Sequence, residues 1–465
     1  VTTVVDDRPA PRRPGARHRG SGPPTAALPP GALPAAILVL IWAGAAAVLA
    51  LWWMGTPSVA GAAAWLTGAG RITGLLAGYA APVLVLLMAR LPFLERGVGA
   101  DRLARWHAMG GRYMVSLVLA HVVLIIWGYA LTDGSGVAGE ATEIVFHYPE
   151  MLKATIATVL LLGVAGVSAR AARRRMRYET WYYLHLATYL AVALGFGHQL
   201  ADGADFVSRP PARAAWYGLY LGAAALLGWY RLAVPFLADR RHRLQVAEIR
   251  PEGPGTVSVH LTGRHLERIK AEPGQFFRLQ FLAPGLRWAA NPYSLSAPVH
   301  PHYLRFTVKD LGGHSAAVAR LRPGTRVRAE GPYGAFTAAC RRSRKVLLLA
   351  AGVGITPLRA LFETLPAAPG DLTLVYRAGR PEDLIFRAEL EDIAAARGAR
   401  LHFLVGPRRE VGEPLNAHTL NHLVPDLARH DVFLCGPEAM TVTAVSALRA
   451  AGVSRRRIHH ESFTF

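Results

Sequence analysis

Four histidines lie in two otherwise apolar stretches of this 465-residue chain, and their spacing is the first feature with chemical meaning. In "HAMGGRYMVSLVLAHVVLIIWGY" His107 and His121 are fourteen positions apart; in "YLHLATYLAVALGFGHQL" His185 and His198 are thirteen apart. Imidazoles within lipid are rare and need partners. At the rise of a helix these separations are ~21 Å and ~20 Å, so each stretch offers one ring near either face of a bilayer. If the two stretches run in the same direction, His107 can face His185 and His121 can face His198. Facing imidazoles at each of two depths are the donor set of bis-histidine haem, whose iron satisfies the buried nitrogens while the porphyrin fills the gap between helices. Fourteen steps return His121 to within ~40° of the face of His107, whereas thirteen leave His198 ~140° from His185. Gly195 and Gly197 flank His198, and a local distortion is expected there. For any single histidine a polar cavity or a bond to a neighbouring span is the better reading; four matched in depth reverse that preference. His147, in an outer connection, reads as an ordinary loop residue.

The elements that must carry these rings are visible as six runs of about the ~20 residues that a bilayer core requires: 34–54, 71–90, 107–131, 151–169, 180–199 and 213–235. Alternate connections are basic, as in "ARLPFLERGVGADRLAR", "ARAARRRMR" and "ADRRHR", while those between are neutral or acidic. By the positive-inside rule both termini and the second half of the chain are cytosolic, which places a multi-pass protein in the plasma (cytoplasmic) membrane, among lipid. It also makes the third and fifth runs co-directional. "SVA" at 58–60 resembles a leader cleavage site, but the apolar run before it is longer than a signal core, so a retained span is expected. The Pro-, Arg- and Gly-rich residues 1–33 are expected to be a disordered basic tail. The formal charge of +21 raises nucleic acid as a partner, but the arginines gather where apolar runs end, and orientation in a membrane explains them better. Two cysteines supply neither a plant-type iron–sulfur cluster nor a disulfide framework. Arg112, five positions past His107, is assigned to a haem propionate ahead of snorkelling to the interface; for Arg71, at the start of the second run, the two readings are even.

From about 241 onward the texture changes. Residues 244–335 hold short strands broken by Gly and Pro ("TVSVHLTG", "GQFFRLQFL", "LRFTVKD", "RVRAEGPYG"), the spacing of a small antiparallel barrel. Residues 345–465 alternate apolar strands ("KVLLLAAG", "LTLVYRA", "LHFLVG", "DVFLCG") with helical stretches, the signature of a parallel doubly wound sheet. In "GGHSAAVARL" a Gly-Gly turn opens a helix near Ser315, where free N–H groups can seat an anion. "AAGVGITPLRALF" sets Gly352, Gly354 and Pro357 at a strand-to-helix turn, where a dinucleotide lies beyond the carboxyl ends of the strands. "FLCGPEAM" ends another strand at the same rim with Cys435, otherwise a small buried hydrophobe.

The histidine pattern resembles the ferric reductase and NADPH oxidase superfamily of transmembrane haem b proteins, and 244–465 resembles the ferredoxin–NADP reductase family. Together the resemblance covers about 34–465. It implies a multi-domain architecture: a six-helix transmembrane bundle (34–238) after the tail (1–33), an antiparallel β-barrel FAD domain (239–340) and an α/β doubly wound NAD(P)-binding domain (341–465). It also implies two haem b groups, with His107 and His185 as inner ligands and His121 and His198 as outer ones. Asn291, Pro292, Tyr293 and Ser294 align with the flavin motif, Tyr293 flanking the ring system and Ser294 near its N5. Thr307 and Lys309 fall in the second flavin segment, and Gly313, His314 and Ser315 in the pyrophosphate turn. Gly352, Gly354, Thr356 and Pro357 match the nicotinamide-dinucleotide segment. Cys435, Gly436 and Pro437 match the motif whose cysteine lies beside the reacting nicotinamide carbon, and Phe465 fits a C-terminal aromatic stacked on the flavin. One position departs: the motif's arginine is Asn291, leaving the FAD pyrophosphate to be matched by His300, His302 or Lys309. Arg377 and Arg380 lie where the family reads the adenosine ribose and favour NADPH, with NADH possible.

The resemblance implies an NAD(P)H-dependent flavocytochrome passing electrons through FAD and two haems to an extracytosolic acceptor. The oxidase branch often carries a polar group one turn past the outer ligand. Here that position is Ile125, which favours a ferric chelate over oxygen, though Arg71 keeps oxygen open. A haem-containing membrane electron donor to a partner protein is the third reading, and a non-haem membrane protein with a reductase attached is the fourth.

Overall fold

Backbone N–H and C=O groups have no water to bond in hydrocarbon, so uncharged runs of this length must pair them internally as helices. The computed structural model describes residues 32–56, 59–169, 175–176, 178–406 and 415–462. The chain divides into two compact units, the first ending at Val234 and the second starting at Pro235.

The first unit is helical: α1 (Ala32–Gly55), α2 (Gly61–Leu87), α3 (Pro92–Val98), α4 (Ala100–Asp133), α5 (Val137–His147), α6 (Met151–Ser168), α7 (Tyr178–His185), α8 (Ala187–Ala201), α9 (Ala204–Val207) and α10 (Pro210–Gly228). A π turn at Trp229–Ala233 continues α10 into α11 (Val234–His242). Among the described residues five helical segments are long and apolar enough to cross a membrane: α1, α2, Arg102–Asp133 of α4, α6 and Pro210–His242. The sixth expected run, 180–199, is instead two shorter helices meeting at Leu186. Apolar composition marked the run as a whole; it carried no sign of a junction within it. Pro82 lies inside α2 and has no N–H to give the Gly78 carbonyl one turn back. The Tyr220 hydroxyl donates to that carbonyl at 2.7 Å and to Gln199 Oε1 at 3.2 Å, tying α10 to α2 and α8.

In the second unit, β1 (Gln245–Gly253), β2 (Thr256–Thr262) and β5 (Leu304–Lys309) form one antiparallel sheet. β4 (Asn291–Ser294), β3 (Phe276–Phe281) and β6 (Val327–Tyr333) form another. Only isolated bridges join them, Gln245 to Arg326 and Leu295 to Phe306. The expected closed barrel is therefore two three-stranded sheets. Register shifts in β1 and between Phe276 and Arg278 bend the strands and interrupt the ladders before closure.

The remaining strands make one parallel sheet in the order β11-β10-β7-β8-β9. They are β7 (Val346–Ala351), β8 (Leu372–Ala378), β9 (Arg400–Val405), β10 (Asp431–Gly436) and β11 (Ile458–Ser462). Every residue of β7 and β10 is buried, as unbroken apolar strands covered on both faces should be. β7 begins the domain yet lies between β10 and β8, so the order of strands reverses beside it. That switch point opens a crevice at the carboxyl ends of β7 and β10.

Within this unit a charged cluster links β5 to the helix Arg387–Arg397. Arg305, nearly buried, donates to both oxygens of Glu389 at 2.7 and 3.0 Å and stacks over Phe386 at 4.7 Å. Arg359 Nε donates to the same carboxylate at 2.9 Å. Burial raises the Glu389 carboxyl, but the bonds and charges of Arg305 and Arg359 outweigh it and hold the group below its ordinary value. A lowered acid stabilises the fold above the ordinary range and loses that contribution as pH falls through its lowered value. Glu389→Gln should therefore lower the melting temperature most near neutral pH, with the gap to wild type closing below about pH 4.3. Melting curves of the full chain in detergent would check this; a gap independent of pH would refute it.

Candidate functional site

The first unit brings both expected histidine pairs together. The rings of His107 and His185 have centroids 5.9 Å apart, and those of His121 and His198 are 6.4 Å apart. Two metal–nitrogen bonds of about 2 Å, plus the half-widths of two rings, give a separation on the order of 6 Å. His107 Nδ1 lies 3.1 Å from the Leu84 carbonyl and His121 Nδ1 2.8 Å from that of Gly70. A carbonyl only accepts, so Nδ1 carries the proton and Nε2 keeps the lone pair that a metal takes. His185 stacks on Trp181 (5.2 Å), and its Nδ1 lies 3.4 Å from Ser168 Oγ, which also accepts from the Trp181 indole at 3.1 Å. His198 Nδ1 is buried without a hydrogen-bond partner among the described residues. The arrangement can hold one metal between each pair, with two protein ligands apiece. Among the described residues no group of three or more His, Cys, Asp or Glu converges on a metal site.

The distortion expected at Gly195 and Gly197 lies elsewhere. α8 runs unbroken through both glycines, and the junction is at Leu186, where the Tyr189 N–H turns back to the Leu186 carbonyl three residues earlier. The two glycines serve close packing instead: a Cβ at Gly195 would touch Ala157, and one at Gly197 would strike the Glu150 carboxylate. Ile125 packs against Gly70. Arg71 is half-buried on α2 and Arg112 is exposed on α4. A cation that the sequence reading missed, Arg231, donates Nε to the Met88 carbonyl at 3.1 Å, four residues beyond Leu84.

In the second unit a cavity of about 300 Å³ opens at the switch point, lined by Lys309, Gly352, Arg377, Asp383, Pro437 and Met440 among others. Gly352 has φ +53°, and Gly354 has no room for a Cβ because the Cys435 carbonyl and Gly436 amide lie against it. Thr356 Oγ1 donates to the Val353 carbonyl at 2.9 Å, closing the turn, and Pro357 is buried in the helix Ile355–Thr364. Gly436 meets Met440, and Pro437 precedes the helix Glu438–Ala450. Arg377 donates to the carbonyls of Ala378, Leu404 and Gly406 at the strand ends, while exposed Arg380 pairs with Glu382 and Asp383, each at 3.3 Å. Acidic partners were not anticipated at this end of the cavity, because neither residue follows β8 immediately.

Asn291, Pro292, Tyr293 and Ser294 form β4, with Ser294 opposite Phe276. Ser294 Oγ is buried with no hydrogen-bond partner among the described residues, and burial pushes the Tyr293 phenol up to about 12. Of the cations expected to replace the motif arginine, His300 stacks on Tyr303 at 4.6 Å and Lys309 lies in the nucleotide cavity. His302 donates its backbone N–H to His300 Nδ1 at 3.3 Å. Arg278 donates to the Ala290 carbonyl at 3.0 Å; it lies opposite Pro292, and Leu279 is the residue opposite Asn291, so Arg278 is on the other face of the sheet from Asn291. Thr307 is buried in a chain of hydroxyls with Ser258 and Ser296, 2.8 Å each, and supports the sheet from within. Gly313 has φ +53°, Ser315 Oγ accepts from the Leu311 amide at 2.8 Å, and the His314 ring lies 6.4 Å from Phe281. Phe465 lies outside the described residues.

Residues 73–196 match the family model of the ferric reductase like transmembrane component, and residues 348–446 match that of the oxidoreductase NAD-binding domain. A match to a ferric reductase like transmembrane component thus precedes a match to an oxidoreductase NAD-binding domain in one chain. It is similar to the stachydrine N-demethylase reductase subunit of Rhizobium meliloti, 31% identical over 46% of this chain and 64% of that protein. It is also similar to the glycine betaine monooxygenase reductase subunit of Chromohalobacter salexigens (32%, over 41% and 56%). A third relative is the NADPH oxidoreductase of Mycobacterium tuberculosis (30%, over 50% and 63%). The chain thus spans between half and two thirds of the length of these relatives. Among solved structures, the FAD/NAD-binding domain of nitric oxide dioxygenase from Vibrio cholerae is 24% identical, covering 48% of this chain and 99% of that one, with TM-score 0.40. The cytochrome P450 reductase of Amycolatopsis is 25% identical over 48% and 70%, with TM-score 0.41. Scores this low carry no further argument. The matches support a membrane-associated chain that carries an NAD-binding domain of the oxidoreductase type.

Cys435 ends a strand at the rim, yet its thiol is fully buried in the core with Phe336 and Phe433. Burial pushes the thiol well above its ordinary value, and the nearby Glu461 carboxylate adds to this. In the native full chain at pH 8, Cys435 should resist iodoacetamide and react only after unfolding. Peptide mass mapping checks this, and equal labelling in both states would refute it.

Proposed function

We propose that the chain is a transmembrane flavocytochrome b that takes electrons from cytosolic NAD(P)H and delivers them to an acceptor beyond the membrane, a ferric chelate ahead of oxygen. The single observation that carries this reading is the pair of imidazole pairs, each at a separation suited to one iron. When bound, FAD would divide the hydride's electron pair and two haems would carry single electrons across the bilayer.

The chain's own residues bind and orient. The Leu84 and Gly70 carbonyls keep protons on the Nδ1 atoms of His107 and His121, so that Nε2 would hold the iron. The Gly352 turn and Pro437 let backbone approach a dinucleotide, and Lys309 supplies positive charge in the same cavity. Ser294 brings a buried hydroxyl with a bond still to make, which suits a flavin heteroatom. Ile125, an apolar residue packed on Gly70, supports the ferric chelate as acceptor. The curated relatives named as reductase subunits favour a second reading, in which the electrons pass to a partner protein.

A reduced-minus-oxidised spectrum of the purified full chain tests the central claim: a low-spin b-type signature is expected, and its absence would overturn it. NADPH-driven reoxidation by ferric citrate, oxygen and a quinone then ranks the acceptors. His198→Leu should lose about one of two haems while NADPH still reduces flavin; unchanged haem stoichiometry would remove His198 as a ligand. Arg377→Ala should raise the KM for NADPH by roughly tenfold, the loss of one charge-assisted hydrogen bond, and that for NADH far less. Equal effects would refute a role in reading the 2′-phosphate.

A further inference from the structure

Both histidines of α4 are held by carbonyls of α2, a helix that contains no histidine. Gly70 and Leu84 are fourteen positions apart, as are His107 and His121, and each lower number on one helix meets the higher on the other. One antiparallel register therefore serves both ligands. We propose that α2 is the orienting element for the α4 ligands, and that Gly74 and the Gly70 carbonyl set the ring plane and electron richness of His121, and so the properties of the outer haem alone. The proposal rests on the haem reading above.

Three contacts support it. A Cβ at Gly74 would lie 2.5 Å from His121 Nδ1 and 2.7 Å from Cε1, so the ring occupies the space that a side chain would take. At Gly70 a Cβ would meet Ile125 Cδ1 at 2.8 Å and the Ile125 amide nitrogen at 3.2 Å, which keeps the two backbones close enough for the carbonyl to reach the imidazole. Thr73 Oγ1 lies 2.9 Å from the Gly70 carbonyl and 3.0 Å from that of Ala69. The oxygen that takes the His121 proton is thus shared with a hydroxyl.

Sharing matters because the strength of the Nδ1–H bond decides how basic the imidazole is toward a metal. A competing hydroxyl weakens that bond, leaves the ligand less basic and favours reduced iron. The inner ligand is held by other means. Leu84 is among the last four carbonyls of α2, which are open to outside donors, and its bond to His107 is longer, 3.1 Å against 2.8 Å. Two sites on one pair of helices are thereby tuned separately: the outer by a shared carbonyl and a missing side chain, the inner by a helix end.

The test uses the purified full chain, with potentiometric titration and low-temperature paramagnetic resonance, the outer component being the one lost in His198→Leu. Thr73→Val keeps the shape of the side chain and removes the competing donor. It should lower the midpoint of the outer component and leave the inner one unchanged. Gly74→Ala should shift the g-values of the outer component or lose that haem, with the inner haem retained. Gly163→Ala, where a Cβ meets nothing within 4 Å, should change neither. If Gly74→Ala fails to accumulate, the near-isosteric Thr73→Val decides. A wild type with two low-spin components, neither of them moved by Thr73→Val or Gly74→Ala, overturns this proposal and leaves the haem reading intact. A wild type with no low-spin signal overturns both.

Discussion

An imidazole in hydrocarbon has two nitrogens to satisfy and no water to do it, so each one placed there forces a choice of partners on the surrounding helices. This constraint organises the first unit. α2 lies against α4 with glycines at 70 and 74, close enough for the Gly70 carbonyl to reach a ring nitrogen. Ser168 at the end of α6 lies against His185 Nδ1, and Trp181, one turn earlier on α7, stacks on that ring. Three of the four rings thus have Nδ1 met within the protein, while that of His198 has no partner among the described residues.

The second unit follows the same economy with different groups. Its cavity is shaped largely by backbone, at turns where Gly352 adopts a positive φ and Gly354 yields its side-chain space to the Cys435 carbonyl. Side chains that looked like chemical participants are partly structural. The Cys435 thiol is core, and Thr307 braces two serines. In both units the main chain does much of the positioning.

How much of this could be read beforehand differs by element. The apolar runs, the depth-matched histidines and the parallel sheet were legible because composition and period report burial directly. The two-sheet form of the antiparallel region was not, since closure depends on register shifts that leave no local mark. Nor was the junction at Leu186: the thirteen-residue spacing demanded a phase correction, and the glycines nearby offered a plausible place, but they were already committed to packing. The orienting carbonyls were invisible for a deeper reason, since every residue has one. Only the four-residue glycine ladder in "GAGRITGLLAG" hinted at which face of α2 would come close. Asp383 was missed because curvature of a loop brings it to a cavity from which the order of the chain keeps it apart.

The junction after His185 has a mechanical consequence. On α4 both rings ride one uninterrupted rod, so anything that tilts or slides that rod moves them together. On the facing side His185 closes α7 while His198 rides α8. A change in bilayer thickness that tips α8 would therefore reach the pair His121–His198 first, with the junction at Leu186 between it and the pair His107–His185.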